Sequence, residues 1–267
     1  MSLPFVVARG CRGGAFAANA SGGGTATPKT DEEKIEDGEV GGVVPWIWLD
    51  ANKINGSDDS GNPSDGNNVS SWVSRSGSRS AVQSTASAQP DWEEDRFNSL
   101  PSVEFTAAEY LLIGSEAWNA DDMSFFFAGL WGTGYGFFSR WAHSSSAKQF
   151  QIRKNIIYAS DNGTTTRTGL SWTADISNFR VDSFIKDGTS YAYRRDLSSH
   201  ASGTEANTET LPNSTQYTVL GGQVGFTNGS GFLGTPGQIC ELIVWDSALS
   251  SDDRDTVESY LSEKYGL

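Results

Sequence analysis

Cysteine and histidine are almost absent, with two of each in 267 residues: Cys11, Cys240, His143 and His200. No CxxC pair and no even set of closely spaced cysteines occurs, which excludes a disulfide framework and a cysteine-based metal knuckle, and Cys240 in its apolar run reads as a small buried residue. The two histidines lie in Ser-rich segments that read as loops, with no HExxH, and the chain has no GxSxG or phosphate-cradling glycine loop. Basic residues are scarce, 19 against 33 acids, giving a net charge of -14. Such a surface repels phosphate backbones and anionic bilayers, so neither nucleic acid nor a membrane is an expected partner. No apolar run approaches the ~18 residues that span a bilayer. The opening MSLPFVVARG has no basic residue ahead of a short apolar stretch, so no cleaved leader is expected.

Charged residues make up 19% of the chain and aromatic residues 12%, with 30 glycines. This is the balance of a turn-rich β protein, and it excludes a coiled coil. Residues 1–42 are unlike the rest. They are rich in Gly and Ala (RGGAFAANASGGG), basic at Arg9, Arg12 and Lys29 and then acidic in DEEKIEDGE, and after Phe16 they offer few bulky side chains to offset the entropy of ordering. An extended arm that settles only against another chain is expected there.

From residue 43 onward, short apolar or alternating runs are separated by Gly, Asn, Asp and Ser clusters. Strands are predicted at 45–50, 69–74, 101–105, 110–114, 123–131, 136–141, 148–154, 155–160, 169–172, 179–186, 189–196, 217–223 and 239–246. In KQFQIRK, Phe150 and Ile152 should face the core, and Gln149, Gln151 and Arg153 the solvent. Asp187-Gly188 is placed to turn a tight hairpin. DWEED at 91–95 reads as solvated loop acids, and the glycine-rich GLWGTGYGFF at 129–138 as a turn or bulge. One helix is predicted at the C-terminal end. Ser250 caps it with Asp253 three residues on, Val257, Tyr260, Leu261 and Tyr265 form its apolar stripe, and Gly266 stops it.

The segments WIWLDANKINGSDDSG, NNVSSWVSRSGS, LPSVEFTAAEYLLI and GQICELIVWDSALSSDDRDTVESYLSEKYGL together resemble the concanavalin A-like lectin/glucanase superfamily, in its laminin G-like branch, over about residues 43–267. The resemblance implies an all-β, antiparallel two-sheet jelly-roll sandwich with a short C-terminal helix, the first and last strands of the domain lying close together. The organisation expected is thus an extended arm, 1–42, and a β-sandwich domain, 43–267. Function is left open, because the superfamily includes lectins, glycanases, adhesion modules and structural domains of phage virions.

Glycanases of this superfamily carry an E-x-D-x-x-E strand that points alternate carboxylates into one cleft, and no segment here matches it, so an enzyme is not expected. The loop 55–68 gathers Asp58, Asp59, Asp65 and Asn67, hard oxygen donors that make it a candidate calcium loop, although the EF-hand spacing is missing. Trp92, Trp118, Trp131, Tyr135 and Trp141 stand near predicted strand ends and are candidates for stacking on sugar rings. Leu3, Pro4, Phe5, Val6, Val7 and Phe16, with Arg9 and Arg12, are candidates for anchoring the arm on a partner surface. The reading that joins a sandwich to such an arm is a virion structural protein, a phage capsid decoration or tail-associated protein in a homo-oligomeric or larger assembly. The alternative is a carbohydrate-binding adhesin or receptor-binding module, extracellular or at a cell surface, and the third is a glycanase with an unfamiliar acid pair.

Overall fold

A computed structural model describes residues 27–77, 79–114, 122–132, 137–140, 149–153, 156–160, 166–171, 176–204, 218–224 and 232–267. Two antiparallel sheets face each other. Among the described residues the first is nine-stranded, running in space through Ser198–Thr204, Ser190–Arg195, Arg180–Asp187, Asp122–Leu130, Gly237–Trp245, Leu100–Phe105, Asp91–Phe97 and Asn67–Asn68. Its ninth strand, Ile47–Asp50, joins Gly237–Trp245 on the same side as Leu100–Phe105, in the register Ile47 to Val244 through Asp50 to Glu241. The second sheet is eight-stranded: Thr166–Ser171, Ile156–Ser160, Gln149–Arg153, Phe138–Arg140, Thr218–Leu220, Leu111–Ile113, Ser80–Val82 and Ser71–Val73. The fold is the expected β-sandwich, and the pairing of Ile47–Asp50 with Gly237–Trp245 brings its early and late strands together.

The nine-stranded sheet is covered on both faces. Toward the second sheet lie Leu49, Val103, Phe125, Phe127, Phe184 and Leu242, and toward the helices lie Trp48, Phe126, Val181, Ile243 and Trp245. That double burial explains why MSFFFAGL and ICELIVW read as nearly unbroken apolar runs instead of alternating ones. The C-terminal helix α2, Ser251–Tyr265, supplies the outer layer. Ser250 Oγ accepts from the Asp253 N–H at 3.2 Å, Gly266 closes the helix at φ 66°, and Val257, Tyr260, Leu261 and Tyr265 are buried. Among the described residues no helix is long and apolar enough to cross a membrane.

Five local expectations are corrected. Residues 27–42 lie on the sandwich and are not an extended arm: they contain helix α1, Asp31–Glu36, with a Thr30/Glu33 capping box and a fully buried Ile35. DWEED is not a loop, because Asp91–Phe97 is a strand that turns back through Asn98 and Ser99 into Leu100–Phe105. Gln151, placed toward solvent by alternation, is fully buried in an interior strand of the second sheet, so that strand is covered on both sides there. His200 stands in the strand Ser198–Thr204, stacked on Tyr193 at 5.8 Å, and not in a loop. The Asp187-Gly188 hairpin forms one residue later than predicted, with Asp187 paired to Ser190 and Gly188 at φ 54°.

Candidate functional site

The segment from Ala51 to Gly66 leaves the first strand and returns to the edge of the nine-stranded sheet, and its side chains fold it. Asn62 Oδ1 accepts from the Ile54 N–H at 2.9 Å while its Nδ2 donates to the Asn52 carbonyl at 3.0 Å. Asp58 caps the short 3-10 turn Asp59–Gly61, its Oδ1 accepting from the Ser60 N–H at 2.9 Å and from Asn55 Nδ2 at 3.0 Å. The Ser60 hydroxyl also donates to Oδ1, and it contributes most, ahead of Asn55 and the Ser60 N–H, to holding the Asp58 carboxyl below the usual range. Asp65 Oδ1 accepts from the Glu94 N–H at 2.9 Å, and the Gly66 N–H donates to the Trp92 carbonyl at 2.8 Å, which fastens the loop to the Asp91–Phe97 strand.

Between loop and strand opens a cleft of about 670 Å³ lined by Asn52, Asp59, Asn62, Pro63, Ser64, Asp65, Trp92, Glu94, Ser99 and Pro101. Among the described residues, no hydrogen bond or ion pair engages the carboxylates of Asp59 and Glu94. With the hydroxyls of Ser64 and Ser99 they leave a wall of acceptors and rotatable donors facing water, the chemistry that meets a polyol. The turn that carries Ser99 holds Asn98 at φ 49° and Ser99 at φ 62°, left-handed values that a non-glycine residue adopts at a cost.

The sequence candidates divide. Asp59 and Asp65 line the cleft, Asp58 is spent on capping, and Asn67 pairs across to Trp92 in the edge ladder. Among the described residues no three Asp, Glu, His or Cys side chains converge on a point that would hold a metal, so Asp58, Asp59 and Asp65 do not form such a group. Trp92 forms part of the cleft wall, but it is 5% exposed and its indole N–H donates to the Ala51 carbonyl at 2.8 Å. Trp131 is 2% exposed, packs on Phe127 at 4.4 Å between ring centres, and donates to the buried carboxylate of Asp182. Neither offers an open face for stacking, which corrects the expectation for these two: each fills the core with its ring and satisfies its one donor inside. Trp118, Tyr135 and Trp141 lie outside the described residues, as do all the anchor candidates from Leu3 to Phe16.

Sequence reasoning missed Asn52, Glu94 and Ser99. The signal for them was the short Asn98-Ser99 link between two runs of strand length, obscured because a left-handed turn normally announces itself with glycine.

No protein-family model matches the chain, and no curated protein is similar to it in sequence. Solved structures are similar in fold. Domain 4 of AbnA, a GH43 extracellular arabinanase from Geobacillus stearothermophilus, in complex with arabinotriose, superposes with a TM-score of 0.50 at 12% identity, over 82% of this chain and 97% of that one. An arabinofuranosidase complexed with arabinofuranosyl-alpha-1,2-xylobiose gives 0.53 at 10% identity, over 74% of this chain and 51% of that one. The binding domain of Botulinum neurotoxin serotype D gives 0.52 at 11% identity, over 86% of this chain and 53% of that one. The chain therefore spans about half the length of the last two and nearly all of the first. At these identities what the three share with this chain is the β-sandwich fold.

Proposed function

We propose that this chain is a carbohydrate-binding β-sandwich module that takes glycans in the cleft between the 51–66 loop and the Asp91–Phe97 strand. The observation that carries the reading is the cleft itself: a polar depression of about 670 Å³, wide enough for a short oligosaccharide, with the Asp59 and Glu94 carboxylates unengaged among the described residues. The fold adds support, because the AbnA domain that superposes over nearly its whole length is described in complex with arabinotriose. We read the role as binding because the sequence offers no E-x-D-x-x-E strand to supply the paired acids of hydrolysis. The virion role suggested by the sequence rests on the anchor residues 3–16, so the sandwich supports the glycan-binding alternative better.

The test is a glycan array probed with the full chain, with and without calcium, followed by calorimetry on the best binder. Asp59→Ala and Glu94→Ala remove side chains that hold nothing else together, so they should leave the thermal unfolding curve in place and weaken binding about tenfold each. A silent array, or affinities untouched by both substitutions, sinks the proposal. Release of reducing ends from a polysaccharide panel would make the chain a hydrolase instead.

A further inference from the structure

We infer that the cleft is a charge filter, admitting uncharged oligosaccharides and turning away glycans that carry carboxylates or sulfates; the inference rests on the glycan-binding reading above. The cleft has three carboxylates in its lining, Asp59, Asp65 and Glu94, and no Lys, Arg or His. Cations stand nearby, but each is held by other acids. Arg96 is 2.7 Å from Glu104 and 3.3 Å from Glu93. Lys53 pairs with Glu32 at 3.2 Å, and Arg75 lies against Asp50, Glu32 and Glu36. The cleft wall therefore keeps its negative sign.

That sign fits a polyol. Each carboxylate accepts two or more hydroxyl donors in short, charge-assisted bonds, and the sugar brings the protons. An anionic sugar brings a like charge to the same wall, where no fixed cation offsets it, while the net charge of -14 repels it already at a distance. Asn62 Oδ1 and one of its two Nδ2 hydrogens are spent in holding the loop to Ile54 and Asn52. Side-chain donors that remain for an anion come from Asn52, Asn62, Ser64 and Ser99, all neutral.

The experiment uses the full chain against arabino-, xylo-, gluco-, galacto- and manno-oligosaccharides printed beside their uronate-, sialic acid- and sulfate-bearing counterparts of equal length, at low and at high salt. Uncharged members should bind at least about tenfold more tightly than their anionic counterparts at low salt, with a smaller ratio at high salt. A triple variant, Asp59→Asn, Asp65→Asn and Glu94→Gln, keeps the shape and the Asp65 acceptor for the Glu94 N–H, and should bring the ratio toward one. Anionic and neutral members bound equally by the natural chain, or a ratio unmoved in the triple variant, overturn the filter and leave glycan binding standing. No binding to any member overturns both.

Discussion

Lys264 Nζ stands 2.7 Å from Glu241 Oε2 and 2.8 Å from Asp50 Oδ2, bridging two fully buried carboxylates that face each other across the first and last strands of the sandwich. The pair is satisfied from all sides: Trp48 Nε1 and the hydroxyls of Tyr260 and Tyr265 donate to Glu241, and Arg75 donates to Asp50 at 3.1 Å while lying 3.9 Å over the Trp48 ring. Buried charge of this kind contributes little net stability against an apolar core of the same shape, but losing one partner is costly. Lys264→Met should therefore destabilise the domain by about 3–5 kcal/mol. Urea unfolding followed by tryptophan fluorescence measures it, and a loss under about 1 kcal/mol would show the ammonium to be a solvated surface group.

The same cluster sets an alkaline limit. Burial works against the Lys264 charge, but Glu241 and Asp50 outweigh it and hold the ammonium above its ordinary value. Burial likewise pushes the Tyr260 and Tyr265 phenols up, Glu241 adding to the shift. A folded-state pKa raised above the unfolded one means the native state keeps protons that the unfolded chain gives up, so the stability these three groups contribute is fully present below about pH 10 and is lost as pH rises through the folded values. Unfolding free energies taken at rising alkaline pH should fall, with the slope reduced by about one proton in Lys264→Met. A flat profile would contradict the raised values.

Helix α1 should detach without unfolding the sandwich. It is held by Ile35 and Val40 in the outer core, by Glu32 and Glu36 against Arg75, and by Glu32 against Lys53. A six-residue helix has no stability of its own, so its place depends on that packing. Ile35→Ala removes about 2–5 kcal/mol of core contact if the segment stays in place. Amide exchange should then show protection lost across residues 31–40 with the strands unchanged. Loss of protection throughout both sheets would make the segment part of the cooperative core.

What was readable in the sequence was whatever repeats or is capped. The buried strands 122–130 and 237–245 announce themselves through continuous apolar runs, and α2 through Ser250, its stripe and Gly266. The α1 segment gives a weak signal because Ile35 is the one bulky apolar residue in DEEKIE, although Thr30 and Glu33 stand at capping-box spacing. The acids at 50 and 241 gave no sign of their pairing, since their partner Lys264 comes from a helix face that also buries Arg254 and Glu258 beside the apolar stripe. The cleft was least legible, because it joins residues 52–65 to 92–101 through an edge pairing that only the folded chain creates.

Two hairpin turns carry strain that glycine would remove. Asn98-Ser99 and Asp196-Leu197 both hold left-handed φ angles, 49° and 62° in the first, 47° and 64° in the second. Asn and Asp tolerate that region through local hydrogen bonds, but a leucine or serine there sets its Cβ against the following carbonyl, at about 1–2 kcal/mol. Glycine relieves the clash and gives back part of the gain as unfolded-state entropy. Leu197 is 43% exposed, so Leu197→Gly relieves the clash but gives up the contacts of its sheltered part, and the two should nearly offset, leaving stability within about 1 kcal/mol of the natural chain. Ser99 is exposed and has little apolar contact to lose, so Ser99→Gly should stabilise the domain by about 1 kcal/mol and raise its melting temperature by a few degrees, yet because Ser99 lines the cleft it should also weaken glycan binding, whereas Leu197→Gly should leave binding alone. Differential scanning calorimetry with parallel titrations separates the two effects; equal binding by both variants would remove Ser99 from the site, and a loss of stability in Ser99→Gly would mean that its turn is not strained.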